Sequence, residues 1–111
     1  MKILSVLACL SLVSCAAPAV VPNNQLAAAM TAIEDAQRAD AVEYAPAELD
    51  QAREKLSQAQ AAVQRKNFDS AKRLAEATEV DARFARARAE TRRAERELAT
   101  LNESIKAMRQ K

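Results

Sequence analysis

The sequence has no glycine, no histidine and no tryptophan, and only two phenylalanines and one tyrosine in 111 residues. Without glycine it has no phosphate-cradling loop of the P-loop or dinucleotide-binding type, whose backbone needs residues free of a Cβ. Without histidine, and with Cys9 and Cys15 as the only thiols, transition-metal sites and the common nucleophile–base pairs lack their usual residues. Carboxylates are plentiful, yet no pair of them departs from the ordinary charged face of a helix. The composition therefore predicts a chain without catalytic residues, metal or cofactor.

What is present is alanine, at 27 of the 111 positions. Alanine favours helix and lets helices approach closely. It also removes little apolar area when buried, whereas a buried Leu or Phe stabilises by about 1.5–3 kcal/mol. The expected fold is all-α: an Ala-rich three-helix antiparallel bundle, or a helical hairpin with a long C-terminal helix, of modest stability.

The N-terminus reads differently. Lys2 precedes an apolar run, residues 3–13, which ends in Leu12-Val13-Ser14-Cys15. The run suits a signal peptide and is too short for a bilayer span of roughly 20 residues. Leu12-Val13-Ser14-Cys15 resembles the lipobox of bacterial lipoproteins. That resemblance implies cleavage after Ser14, a lipid on the Cys15 thiol, and a probe-ready address: the periplasmic face of the envelope, expected at the outer membrane. Val6-Leu7-Ala8-Cys9 has similar lettering, but its apolar run is shorter than the roughly 7–15 residues expected. Cys9 would leave with residues 1–14, so no internal disulfide is expected.

Residues 15–24 carry Pro18 and Pro22 and no periodicity, which predicts a tether of at most about 30 Å. A first helix is expected over 25–44, with Asn24 as its cap and a stripe of Leu26, Met30, Ile33, Ala36, Ala41 and Tyr44. Pro46 ends it and opens a second helix over 46–66, with Glu48 and Asp50 in the first turn and a seam of Leu49, Ala52, Leu56, Ala59 and Val63. Asn67 is expected to take the left-handed cap. A third helix, over 69–110 and capped by Asp69 or Ser70, carries two stripes. One is small: Phe68, Ala71, Ala75, Thr78, Ala82, Ala85 and Ala89. The other runs Ala77, Val80, Phe84, Ala87, Thr91, Ala94, Leu98, Leu101, Ile105 and Met108. The early part of this helix is thus expected to pack on two neighbours and the later part on one.

Tyr44-Ala45-Pro46-Ala47-Glu48-Leu49, followed by Ala52, Lys55-Leu56, Ala59, Asn67-Phe68, Ala71, Leu74-Ala75-Glu76 and Asp81-Ala82, resembles an alanine-rich domain of bacterial envelope proteins whose molecular function is uncharacterised. Members of that family are often lipoproteins, and some resemble the region preceding OmpA-like peptidoglycan-binding domains. The resemblance spans roughly residues 25–95. No OmpA-like domain follows here, so its peptidoglycan binding is not carried over. The Asn67-Phe68 hairpin also resembles one tetratricopeptide unit, but only about one and a half such units fit, too few for an array.

Charge is segregated. Residues 24–64 hold three cations against seven acids, and residues 65–111 thirteen against eight. Either the basic third helix packs on acidic neighbours, or Arg83, Arg86, Arg92, Arg93 and Arg96 form a strip for anionic lipid or cell-wall polymer. Nucleic acid is not an expected partner of an exported chain. The seam Leu98, Leu101, Ile105 and Met108 is expected to be buried within the chain or against a protein partner or second copy. Lys111 resembles the peptidoglycan-linked terminal lysine of Braun-type lipoproteins, which implies a covalent wall tether as the alternative to a membrane-anchored interaction or scaffold module.

Overall fold

The computed structural model describes residues 18–111; the expected signal segment and Cys15 lie outside the described residues. Four helices follow one another: α1 Asn23–Arg38, α2 Ala41–Tyr44, α3 Pro46–Gln64 and α4 Phe68–Arg109. No strand occurs among the described residues. The all-α fold with a long C-terminal helix is as the composition predicts. Ion pairs fix the directions: Lys55–Asp81 and Glu48–Arg92 run α3 antiparallel to α4, while Asp40–Arg93 brings the end of α1 beside the middle of α4. No helix among the described residues is long and apolar enough to cross a membrane.

The helix boundaries sharpen several expectations. The first helix does not reach Tyr44 unbroken: Asp40 takes φ 60°, and a separate turn of helix, α2, follows. Aspartate is among the few non-glycine residues that visit this region readily. Asn24 is not the first cap, because α1 starts at Asn23 behind Pro22, with no side-chain cap. Met30 lies outside, 48 % exposed, while Ala29 and Ala32 take the inward positions. Alanine at those two positions lets α1 lie closer than a stripe through Met30 would. Pro46 occupies the first turn of α3 as expected, with Ala45 non-helical at φ −144°.

The α3–α4 turn exchanges the expected roles. Lys66, not Asn67, takes the left-handed conformation, at φ 56°. Its N–H donates to Val63 O (2.9 Å) and that of Asn67 to Ala62 O (2.9 Å), the paired bonds of a Schellman closure. Asn67 instead opens α4, its Oδ1 accepting from Ser70 N at 3.2 Å, so neither Asp69 nor Ser70 is the cap.

The core is alanine. Leu49 and Thr78 are the largest fully buried side chains, and Ile33 is nearly buried. One cluster joins Ile33, Ala36, Ala41, Ala45, Leu49 and Ala52 to Ala82, Ala85 and Ala89. A second, toward the start of α4, joins Ala29, Ala59 and Ala75, and Leu56 packs on both. The Thr78 hydroxyl is satisfied within its own helix, donating to Leu74 O at 2.8 Å. Pro18–Val20 share a groove with Lys66–Asp69, so the last part of the expected tether lies against the bundle.

Candidate interaction surface

Helix α4 carries two rows of residues at alternating spacings of three and four. The inner row, Ala71, Ala75, Thr78, Ala82, Ala85 and Ala89, is buried. Each outer-row residue stands two positions after an inner one (78 and 80, 82 and 84, 85 and 87). At about 100° per residue that is a rotation of about 200°, so the rows occupy opposite faces. Small residues therefore face both neighbours, and the larger ones face away. Val80 is 66 % and Phe84 55 % exposed, which corrects the expectation that the early part of this helix uses both stripes for packing.

The rows diverge where the bundle ends. Continued at the same spacing, the inner row becomes Arg92, Arg96, Ala99, Glu103 and Lys106. The outer row stays apolar and grows larger: Leu98 59 % exposed, Leu101 55 % and Met108 68 %, with Ile105 half-buried. After Arg92, every residue of α4 except Ile105 is exposed. The seam predicted from the sequence is thus not covered by the described residues of its own chain. Val80 and Phe84 extend it toward the start of α4; the unbroken spacing was the visible trace of that extension.

The arginines have carboxylate partners. Arg92 donates to Tyr44 O (2.7 Å) and to Glu48 Oε1 (3.3 Å), and Arg88 approaches the same Glu48 oxygen at 3.4 Å. Arg93 reaches Asp40 at 3.1 Å and Glu97 at 3.0 Å, and Arg96 reaches Glu43 at 3.1 Å. Arg83 and Arg86 pair along their own helix with Glu79 and Glu90. The hydrogen bond and charge of Glu90 raise the Arg86 pKa above its ordinary value, and those of Glu97, with Asp40 beyond it, do the same for Arg93. Arg92, Arg93 and Arg96 thereby pin the α1–α3 corner to α4. Glu48, which the sequence showed only as a favourable first-turn acid, is the hub of that corner, and its other oxygen is buried with no hydrogen-bond partner among the described residues.

A furrow of about 550 Å³ runs between α1 and α4, bordered by Ala28, Ala32, Asp35, Glu79, Arg83 and Arg86. Its charges are of both signs and largely paired, which leaves little to orient a small ligand. No cluster of three or more potential metal ligands occurs among the described residues. Lys111 is exposed just past the end of α4, a helix about 63 Å long at 1.5 Å per residue. Cys15 lies outside the described residues.

Comparison with curated proteins and with solved structures finds no match. One family model matches residues 24–101, which takes in α2, α3, nearly all of α1 and α4 as far as Leu101, and the chain belongs to that family, described as Domain of unknown function (DUF4398).

Proposed function

We propose that the protein is a membrane-anchored lipoprotein of the bacterial envelope whose Ala-rich bundle presents α4 as a non-catalytic interaction module. The observation that carries this reading is the outer row of α4. It stays apolar through Met108, while the bundle-facing row turns to charge once nothing remains to pack against. An exposed apolar stripe of this length on a soluble face marks an interaction site more often than a neutral surface. The paired arginines favour a structural role for the basic residues over a headgroup-binding strip. The anchor rests on the lettering of Leu12-Val13-Ser14-Cys15, and residues 15–17 then join the lipid to a bundle that starts close to the membrane.

Fatty-acid labelling and detergent-phase partitioning test the anchor. The wild-type chain takes up label and enters the detergent phase, and Cys15→Ser does neither. Equal partitioning of the two removes the lipoprotein reading. In the same cells, muropeptides that carry Lys111 would make the chain a covalent wall tether instead.

A further inference from the structure

We propose that the outer row of α4 is a self-association seam, which pairs antiparallel with the same row of a second copy of this chain. The row has heptad spacing from Ala77 to Met108, with Phe84, Thr91, Leu98 and Ile105 in one register position and Val80, Ala87, Ala94, Leu101 and Met108 in the other. Its sizes are graded. The middle is small (Ala87, Thr91, Ala94) and the distal part large (Leu98, Leu101, Ile105, Met108).

That gradient selects both the occupant and its direction. In a parallel pair like faces like, so Ala87, Thr91 and Ala94 would stack on their own counterparts in three successive thin layers. Underpacked layers of that kind forfeit contacts on both sides. In an antiparallel pair centred near residue 96, large meets small in the inner layers, and two large side chains meet in the outermost. Phe84 faces Met108 of the second copy, Ala87 faces Ile105, Thr91 faces Leu101 and Ala94 faces Leu98. Asp81 then lies beside Arg109 of the second copy. Glu95 and Glu97 meet their own counterparts on the solvated flank, where salt screens them.

Extent supports the full row over its tip. In this register the paired part of the row, Phe84 to Met108, is about 36 Å of helix, and a strip about 10 Å wide covers on the order of 360 Å². Flanking side chains on both edges add to it, toward the roughly 800 Å² that each partner contributes to a stable interface. Leu98 to Met108 alone is less than half of that length. Access is open, because the bundle packs on the inner row of α4; Ala87 and Leu101 also border grooves against the bundle, and both are exposed.

The pairing has a consequence for anchoring, and that consequence alone rests on the lipoprotein reading. The two Phe68 ends stand about 84 Å apart. Both lipids enter one leaflet only if the dimer lies flat on the membrane.

The test uses the full-length chain with Cys9→Ser and Cys15→Ser in mild detergent, which separates association from anchoring. Two differently tagged versions carry Thr91→Cys and Leu101→Cys. On oxidation the mixed disulfide is expected to exceed either homodisulfide by about tenfold or more, and Leu98→Asp in both chains is expected to lower its yield by a similar factor with helicity unchanged. A dominant Leu101→Cys homodisulfide, a monomer at tens of micromolar, or a yield indifferent to Leu98→Asp would each overturn the proposal.

Discussion

Among the described residues of this glycine-free chain, two carry left-handed turns. Asp40, at φ 60°, is compensated by its pairing with Arg93 at 3.1 Å. Lys66, at φ 56°, sits exposed in the α3–α4 turn and has no ion pair among the described residues. A Cβ in this region costs roughly 1–2 kcal/mol, offset by the smaller backbone freedom that a non-glycine residue has when unfolded. Lys66→Gly is therefore expected to stabilise the bundle by about 0.5–1 kcal/mol, a rise of several degrees in the thermal midpoint for a domain of this size. A fall in the midpoint would mean that the lysine makes a contact worth more than the strain. The turn itself was legible, since Asn67 follows a cationic helix end. Which residue takes which role was not. Asn67 suits either a left-handed cap or a helix N-cap, and only the Schellman bonds to Ala62 and Val63 decide between them.

At the scale of the element, α4 shows what spacing reveals and what it withholds. Both rows can be counted along the chain, but spacing alone cannot say which one faces inward. The larger row has more apolar area to bury, which argues for it; alanine's close approach to two neighbours at once argues for the other, and wins. The same competition puts Met30 outside and Ala29 and Ala32 inside on α1. A pair of substitutions two residues apart tests the assignment. Ala85→Leu pushes a larger side chain into a fully buried position and is expected to cost about 1–3 kcal/mol or more. Ala87→Leu adds the same atoms on the opposite face, where, with the chain kept monomeric by dilution, surface changes stay within about 0.5 kcal/mol. Thermal unfolding reads both, and equal losses would mean that the rows are misassigned.

For the whole molecule, bundle and projecting helix are separable by what holds them. The interhelical ion pairs reach along α4 only as far as Arg96–Glu43, and the groove beside Tyr44 takes in Thr100, Leu101 and Ser104. The Arg86 and Arg93 pKa values are raised chiefly by Glu90 and Glu97 on α4 itself, so those pairings are fully present at neutral pH and are lost only as pH climbs through the raised values. Among the described residues no interhelical ion pair lies beyond that corner, and residues 102–111 also lie outside the family match. Deleting 102–111 is therefore expected to leave the thermal midpoint within a few degrees, since exposed helix ends contribute little. The same deletion removes Ile105 and Met108, which face Ala87 and Phe84 of the second copy. Half of the antiparallel layers go with them, so the Thr91→Cys and Leu101→Cys mixed disulfide should fall to the level of random collision. A deletion that destabilises the bundle would make the arm part of the fold; one that leaves crosslinking intact would move the seam elsewhere.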